Sequence, residues 1–418
     1  MNILLKSAKI FDKTSKYHKQ TKDILIENNS FAKIADSIEC PNDCEEIYLE
    51  NLQISNGWFD SSVSFGEPGY EERENISNGL NTAGKSGFTD VAINSNTNPF
   101  LDTKASISFV KNLSINKATN LFPIASLTKN SDGIEMAELY DMQSAGAIAF
   151  GDYNKPICND NLMKIALQYA QNFDGLVLSF PLNKSIGGEG IAHEGVNSTY
   201  LGIKGIPSLA EEMQIARDLF LLEYTGGKLH IPTISSAKSV DLIKEAKKKN
   251  LNVTCSVTTH HLTLTDKELI KFNGNTKVLP PLRAEEDRLA LITGVMDGTI
   301  DCITSDHNPI DIENKKVEFN NAKYGTIGLE NLFTSLQTVL DTETIIEALT
   351  SKPKAIFGLK QSSIEEGKTV SISLFTDSNS GVFKEINILS TSKNSIFLNK
   401  EIKGKTYGIF SNNQLVLN

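Results

Sequence analysis

The chain has 418 residues, of which 22% are charged and 39% hydrophobic, and its formal net charge is −10. This composition excludes the disordered, collagen-like and membrane-spanning classes of protein, and the length predicts more than one hydrophobic core. The negative charge disfavours binding to nucleic acid or to anionic membranes, and the N-terminal sequence lacks the apolar run of a signal peptide. We therefore expect a cytoplasmic protein with no nucleic-acid or membrane partner.

The first 54 residues predict short strands separated by polar turns. From Leu52 onward, short apolar strands alternate with amphipathic helical stretches, a pattern typical of a (β/α)₈ barrel. The eight predicted barrel strands cover residues 53–65, 89–94, 121–127, 145–150, 176–180, 228–234, 253–258 and 302–304. Helices are predicted over 209–224 and 239–249 and from about Glu285.

The C-terminal part returns to strand-like sequence after Gly358, at residues 370–375 and 386–389. The simplest arrangement lets both termini build one β domain. The sequence thus predicts an α/β protein with a TIM barrel over residues 55–357 and a small composite β-sandwich domain from residues 1–54 and 358–418.

A motif marks the first predicted barrel strand, where residues 57–69 read Gly-Trp-Phe-Asp-Ser-Ser-Val-Ser-Phe-Gly-Glu-Pro-Gly. This resembles the first barrel strand of the dihydroorotases, Gly-Phe-x-Asp-x-His-x-His-x-Arg-Glu-Pro-Gly. Other segments similar to that family follow in its order along the chain, at residues 96–99, 146–152, 194–195, 202–207, 210–211, 260–262, 280–283, 297–301, 306–309 and 325–330.

The resemblance to dihydroorotases, members of the amidohydrolase superfamily, implies a metal-dependent-hydrolase-type barrel with an appended β-sandwich. It also implies reversible opening of the cyclic amide of dihydroorotate in pyrimidine biosynthesis. Four positions depart from the family, because the metal-binding histidines are replaced by Ser62, Ser64, Ser179 and Thr233. The arginine expected to bind the substrate carboxylate aligns with Gly66, and an expected asparagine aligns with Leu279.

Four family residues remain. By the resemblance, Asp306 is a vestigial general base, Asn96 and His307 are substrate-binding residues, and Asp152 and Asp306 are the surviving carboxylates of the metal site. Neutral hydroxyls are poor ligands for zinc, so we expect no metal, since no imidazole is left at the barrel mouth to bind a divalent ion. Asp152 and Asp306 could equally serve only as hydrogen-bond acceptors at strand ends.

Loss of the metal has a large expected effect on activity. A metal lowers the pKa of bound water from 15.7 to about 7, so its loss forfeits on the order of 12 kcal/mol of nucleophile activation. A general base contributes only about 10²- to 10⁴-fold. A serine nucleophile recruited from Ser62, Ser64 or Ser179 is an alternative, although His307 beside Asp306 is badly placed to form a relay, since adjacent strand residues face opposite sides.

The leading hypothesis is a catalytically inactive dihydroorotase homologue without cofactor, acting as a structural or regulatory subunit. By resemblance, its partner would be aspartate transcarbamoylase or an intact dihydroorotase, and the chain would form a homo-oligomer. The alternative is an active cyclic amidohydrolase that interconverts dihydroorotate and N-carbamoyl-L-aspartate with an atypical zinc site. A third hypothesis is a small-molecule sensor that uses the vestigial pocket around Asn96 and His307.

Overall fold

A computed structural model describes residues 2–418. The strands are β1 Ile3–Phe11, β2 Thr21–Glu27, β3 Ser30–Ala35, β4 Glu45–Ile47, β5 Gln53–Asn56, β6 Trp58–Val63, β7 Phe88–Ile93, β8 Asn120–Ala125, β9 Ala149–Phe150, β10 Leu176–Leu178, β11 Ala192–His193, β12 Gly205–Ile206, β13 Lys228–Ile231, β14 Val253–Thr258, β15 Cys302–Thr304, β16 Ser371–Val382, β17 Glu401–Ser411 and β18 Gln414–Leu417.

The α-helices lie mainly between the barrel strands. They are α1 Ile76–Lys85, α2 Lys104–Leu113, α3 Leu139–Ala145, α4 Asp160–Ala170, α5 Lys184–Gly187, α6 Val196–Leu201, α7 Ser208–Thr225, α8 Ala237–Lys248, α9 Thr259–Thr263, α10 Glu285–Met296, α11 Ile312–Lys315, α12 Leu332–Leu336, α13 Thr342–Leu349 and α14 Ser351–Ile356. None of the helices within residues 2–418 is both long enough and apolar enough to cross a membrane.

The barrel is an eight-stranded parallel sheet in the order β6-β7-β8-β9-β10-β13-β14-β15. It closes where Val63 bridges His307 and where the Ser64 amide donates to the His307 carbonyl at 2.6 Å. Its strands are almost wholly buried, as expected of parallel strands covered by helices. The predicted fold class is confirmed.

The second sheet joins both termini, in the order β18-β17-β16-β5-β1-β2-β3, with β4 paired to β1. β5 belongs to this sheet, so the prediction of a first barrel strand from residue 53 is wrong over Gln53–Asn56, and the barrel begins at Trp58. The Trp58 ring stacks on Phe333 at 4.9 Å between ring centroids and lies 5.4 Å from the Phe375 ring of β16. These buried aromatic rings fix the barrel to the terminal sheet.

Local capping signals set the helix ends. The Ser236 side chain accepts from the Ser239 amide at 3.1 Å to cap α8, whose last turn carries Lys247 and Lys248. The predicted helices over 209–224 and 239–249 and from Glu285 correspond to α7, α8 and α10. Most barrel strands lie within a few residues of their predicted positions.

Two further predicted strands differ from the structure, one at its start and one entirely. Residue 145 ends helix α3, because Gly146 caps it at φ 112°, and the strand that follows is only Ala149–Phe150. Residues 386–389 form no strand, because the 3₁₀ helix Glu385–Asn387 covers the first half of this segment. There Ile388 is buried with Phe383 against barrel loops while Ile386 is exposed, so the alternation that resembled a strand arises from packing onto the barrel.

Candidate functional site

The candidate site lies at the carboxyl ends of the barrel strands, where active sites of such barrels are built. Ser62 lies near the end of β6, Asp152 follows β9, Ser179 follows β10, Thr233 follows β13 and Asp306 follows β15. All five residues are buried. The sequence therefore placed these positions on the correct edge, and their hydrogen bonds show which of them meet.

The Asp306 carboxylate is held by two hydroxyl groups. Ser62 Oγ donates to Asp306 Oδ1 at 3.0 Å, and the Tyr153 hydroxyl donates to the same oxygen at 2.9 Å. The Asp306 backbone has φ 47° and its amide donates to Thr304 Oγ1 at 3.3 Å. The carboxylate that was expected to act as a metal ligand or general base thus accepts hydrogen bonds from two neutral hydroxyl groups.

A network of side-chain amides and hydroxyls extends from this point. Asn94 Nδ2 donates to Ser62 Oγ at 3.0 Å and to Ser64 Oγ at 3.2 Å. Ser64 Oγ donates to Asn96 Oδ1 at 3.0 Å. The structure therefore brings Ser62, Ser64, Asn96 and Asp306 together, linked through Asn94.

Asp152 faces a neighbouring backbone turn. Its Oδ1 accepts from the Leu127 amide at 2.9 Å and from the Thr128 amide at 3.1 Å, and its Oδ2 accepts from Thr128 Oγ1. Burial raises the pKa of the Asp152 carboxyl, and the Thr128 hydrogen bonds oppose that rise. Its contacts match the structural alternative, in which a carboxylate at a strand end satisfies backbone donors.

Ser179 is directed to the surrounding helices. Its Oγ donates to Asp218 Oδ2 of α7 at 2.7 Å, and Asp218 also pairs with Arg217 at 2.6 Å. Ser179 therefore does not join the Ser62 network. The Ser62 and Ser179 hydroxyls donate to carboxylates and the Ser64 hydroxyl donates to an amide oxygen, so none of these three hydroxyls is hydrogen-bonded to an imidazole ring that could activate it.

Thr233, the fourth residue at a replaced histidine position, has a left-handed backbone conformation. Its φ is 51°, a region that β-branched residues rarely adopt. The Thr233 amide donates to Ser256 Oγ at 3.1 Å, whereas its own hydroxyl is buried without a hydrogen-bond partner. The backbone at residue 233 has the conformation that would direct a metal-ligating side chain into the mouth. The Thr233 side chain, however, offers only an unpaired hydroxyl.

One imidazole, that of His230, also lines the mouth cavity. Its Nδ1 lies 2.9 Å from Thr254 Oγ1 and its Nε2 lies 3.2 Å from Ser256 Oγ. Burial, with a smaller effect of Lys247, lowers the pKa of His230 to about 3. Residue 230 was overlooked because it lies on the strand, three positions before Thr233. It is neutral and both of its ring nitrogens are engaged.

His307 is fully buried beside the closing strand. Its Nδ1 accepts from the Gly328 amide at 3.2 Å, its Nε2 has no hydrogen-bond partner, and its ring packs edge-on against Phe65. Burial lowers its pKa to about 4, so the ring is neutral near pH 7. Neither His307 nor Asn96 lines the mouth cavity, and their substrate-binding role stays a prediction.

The Asp306 carboxyl has strongly perturbed electrostatics. Burial raises its pKa to about 6, the hydrogen bonds from Tyr153 and Ser62 oppose this rise, and the nearby Asp60 carboxylate adds to it. Asp60 is itself buried and accepts from the Ser305 amide at 3.0 Å and from Thr304 Oγ1. A carboxylate with this pKa could accept a proton near neutral pH.

The donor set does not fit the metal centre that the family implies. Zinc prefers imidazole nitrogen and thiolate, and catalytic zinc sites use three such protein ligands or their carboxylate substitutes. Within residues 2–418, no group of three or more histidine, cysteine, aspartate or glutamate side chains could hold a metal ion. Hydroxyl and amide groups surround Asp306 instead.

The mouth cavity is also small. Its volume is about 30 Å³, and its lining includes Ser62, Asn94, Tyr153, Phe180 and His230. Pockets that enclose small-molecule ligands usually measure about 300–1,000 Å³. A cyclic substrate would require side chains such as Tyr153 to move.

Besides His230, Tyr153 and Asn94 are site residues that sequence reasoning missed. Tyr153 directly follows Asp152, and Asn94 lies two residues before Asn96. The signal available was position, since Asn94 ends one predicted barrel strand, Tyr153 follows another, and such residues face the mouth. Their partners could not be inferred, because each hydrogen bond joins residues more than 29 positions apart.

Comparisons with known proteins agree with the fold and the motifs. The family described as Dihydro-orotase-like matches residues 53–239. A protein named dihydroorotase from Geotalea daltonii is 36% identical over 410 residues, covering 97% of this chain and 96% of the relative. A dihydroorotase from Pelotomaculum thermopropionicum is 36% identical over 423 residues, covering 100% of this chain and 99% of the relative.

Solved structures share the same architecture. The L-hydantoinase (dihydropyrimidinase) from Arthrobacter aurescens superposes with a TM-score of 0.85 at 19% identity, covering 100% of this chain and 96% of that one. At that identity the likeness establishes the fold alone. Because the sequence relatives cover nearly the whole chain at well above 30% identity, this protein belongs to the dihydroorotase family.

Proposed function

We propose that this chain is a non-catalytic dihydroorotase homologue whose barrel serves a structural or regulatory role in pyrimidine biosynthesis. The observation that carries the proposal is the Asp306 carboxylate, which accepts hydrogen bonds from Ser62 and Tyr153 in a network without metal-ligating histidines. Asp152, the other surviving carboxylate, uses both oxygens on the 127–128 turn.

Energetics support this proposal over unassisted hydrolysis. Water that is not activated by a metal loses on the order of 12 kcal/mol of nucleophile activation. Asp306 as a general base would restore about 10²- to 10⁴-fold, which is at most about 5 kcal/mol. The deficit of several kcal/mol leaves turnover far below that of a metal-dependent enzyme.

The partner follows from the family resemblance alone. As a non-catalytic dihydroorotase-like chain, this protein resembles the subunits that assemble with aspartate transcarbamoylase. That enzyme or an intact dihydroorotase is therefore the proposed partner. A fold does not specify a function by itself, so the partner is tested directly. Co-expression with a transcarbamoylase should yield a stable complex by size-exclusion chromatography, and separate elution of the two proteins contradicts the assembly role.

The catalytic part of the proposal is tested with the purified chain. Dihydroorotate hydrolysis and the reverse cyclisation of N-carbamoyl-L-aspartate are measured as isolated, after chelator treatment and after zinc addition. We expect no turnover above the uncatalysed rate in any condition. A matched variant carrying Ser62→His, Ser64→His, Ser179→His and Thr233→His tests the donor argument, because it should bind zinc where the unmodified chain does not.

An active cyclic amidohydrolase with an atypical metal site is the second candidate. The names of the relatives favour it, since proteins 34–38% identical over nearly the whole chain are called dihydroorotase. The pKa of Asp306, raised to about 6 by burial, also suits a general base near neutral pH. About one equivalent of bound metal with chelator-sensitive turnover that Asp306→Asn abolishes would establish this candidate and overturn the first.

A further inference from the structure

An open cleft lies at the foot of the barrel, on the side opposite the mouth. It separates the terminal sheet from the start of the barrel strands, since Asn120 begins β8 and Gly57 directly precedes β6, and both line it. The volume of the cleft is about 680 Å³, against about 30 Å³ for the mouth cavity. Pockets that enclose small molecules usually measure about 300–1,000 Å³ and often lie between packed units of a protein. The cleft therefore has the size of a ligand site, which the mouth cavity lacks.

The lining of the cleft is polar and positively charged. Three lysines and one aspartate line it, Lys354, Lys360, Lys368 and Asp90, so three positive charges face one negative charge in a chain whose net charge is −10. Apart from Val370, the remaining side chains of the lining carry hydroxyl or amide groups, and none of the described lining residues is aromatic. This lining favours an anionic, hydroxylated ligand over an apolar ligand or one that stacks on aromatic rings.

Two of the lysines have no counter-ion. Within residues 2–418, neither Lys360 nor Lys368 forms an ion pair or a side-chain hydrogen bond. Lys354 on α14 is 4% exposed, and its ammonium lies 2.8 Å from Asp90 Oδ2. An ammonium has three N–H donors, so Lys354 retains two for a ligand while it pairs with Asp90. The ion pair holds α14 against β7, but it does not account for the other two lysines.

Asn56, at the end of β5, is a polar side chain that no protein group satisfies. It is 5% exposed and lines the cleft, and within residues 2–418 its side-chain amide forms no hydrogen bond. The large majority of buried side-chain polar atoms are hydrogen-bonded to protein or water, because an unpaired one lowers stability. An amide offers both donors and an acceptor, which a hydroxyl group of a ligand can satisfy.

A smaller cavity of about 90 Å³ adjoins the cleft at Asn56, which lines both. His18 lines this cavity, and its Nδ1 is buried without a hydrogen-bond partner in the described chain. Three acidic residues also line it, Asp12, Glu343 and Glu347, and they disfavour an anion there. The lysines and Asn56 thus mark two parts of the site: an anionic group at the lysines and a neutral, hydroxylated body toward Asn56.

We propose that this cleft binds a phosphorylated sugar or polyol, with its phosphate at Lys354, Lys360 and Lys368 and its hydroxyl groups directed to Asn56. Lysine binds phosphate as a point charge, and a phosphate monoester carries about −1.5 to −2 at neutral pH, which balances the excess positive charge of the lining. The cleft shares no lining residue with the mouth cavity. Binding here therefore does not depend on the function proposed for the mouth.

Lysine footprinting of the unmodified chain locates the site. An amine-reactive acylating reagent is applied with and without glucose 6-phosphate, and mass spectrometry measures the labelling of each lysine. With a Kd of about 1 mM or tighter, about 10 mM of the sugar phosphate should slow labelling of Lys360 and Lys368 about tenfold. Lys238, exposed on α8 and without an ion pair in the described chain, is the internal control and should be labelled at the same rate in both. Unchanged labelling of Lys360 and Lys368, or equal protection of Lys238, overturns the proposal.

Calorimetric titration separates the parts of the ligand. Glucose 6-phosphate should bind more tightly than inorganic phosphate, and glucose should show no binding at the same concentration. The pair Lys360→Gln with Lys368→Gln should weaken binding of both phosphate probes about 100-fold, or about tenfold for each charge-assisted contact. The matched control, Lys238→Gln with Lys267→Gln, removes the same charge from exposed positions elsewhere and should leave the affinity unchanged. No binding of either phosphate probe, or the same weakening in both pairs, overturns the proposal; phosphate binding without a gain from the sugar rejects the sugar part.

Asn56→Leu tests the hydroxyl contact, since it replaces the amide with methyl groups of similar size. The amide has no partner within the described chain, so Tm by circular dichroism should not fall. The affinity for glucose 6-phosphate should fall about tenfold, whereas that for inorganic phosphate should stay unchanged. A lower Tm with unchanged affinity for glucose 6-phosphate would assign Asn56 a purely structural role and contradict the proposal.

Discussion

Removal of the Asp306 charge by Asp306→Asn should stabilise the protein at neutral and alkaline pH. Burial raises the pKa of this carboxyl to about 6, from an ordinary value of 3.8, against the hydrogen bonds from Tyr153 and Ser62. A carboxyl whose pKa is raised on folding binds protons more tightly in the folded state. Stability then falls as the pH rises from 3.8 to about 6, and the loss persists above that range.

The magnitude follows from the shift. A rise of about two units corresponds to roughly 3 kcal/mol of stability lost once Asp306 is ionised. Asparagine keeps an acceptor oxygen for Ser62 and Tyr153 without the charge. For a chain of 418 residues, with an unfolding entropy of about 2.1 cal/mol/K per residue, 3 kcal/mol corresponds to roughly 3 °C in Tm.

Urea unfolding of the variant and the unmodified chain at several pH values measures this effect. The difference should be near zero at about pH 3.5, grow through the raised pKa and level off by about pH 8. Asp297→Asn is a control of opposite sign: although burial opposes it, hydrogen bonds from Lys244 and Thr299 lower the pKa of Asp297 to about 2. That control should lose stability at high pH. A stability gain for Asp306→Asn that does not change with pH would refute the burial argument.

Three further changes test other parts of the structure. Tyr153→Phe removes one donor to Asp306, so the pKa of Asp306 should rise by about one unit in a carboxyl NMR titration, and an unchanged value contradicts the hydrogen bond. Thr233→Gly relieves a residue at φ 51° with a buried unpaired hydroxyl and should stabilise by about 1–2 kcal/mol in urea unfolding, whereas destabilisation would contradict the strain. Arg283→Met leaves the buried Glu211 without its cation, 3.7 Å away, and should destabilise by about 3–5 kcal/mol in the same assay; a change below about 1 kcal/mol would show that the pair is not structural.

Much of the fold could be predicted because the barrel repeats a local pattern. Strands β14 and β15 lie at their predicted positions, Val253–Thr258 and Cys302–Thr304, since each is a short apolar run between polar segments. The failures occur where local pattern and packing disagree. Ile386 and Ile388 alternate as in a strand, but Ile388 packs onto the barrel loops through a 3₁₀ turn.

The sequence predicted where the site residues lie more completely than it predicted their hydrogen-bond partners. The replaced ligands Ser62, Ser64, Ser179 and Thr233 could be located from motifs, yet their partners depend on contacts between distant segments. Ser179 donates to Asp218, 39 positions away, and so leaves the mouth network. No periodicity encodes that direction, because it is set by how α7 packs against the end of β10.

The backbone of the mouth explains how one architecture can carry a different set of donors. At Thr233 and Asp306 the chain adopts left-handed conformations, which usually cost about 1–3 kcal/mol for residues of this kind. In this chain the conformations are supported from within the barrel: Ser256 Oγ accepts from the Thr233 amide, and Thr304 Oγ1 accepts from the Asp306 amide. Because these bonds involve no side-chain atom of residue 233 or 306, exchanging a ligand at either position alters the chemistry of the mouth while leaving the path of the strand ends in place.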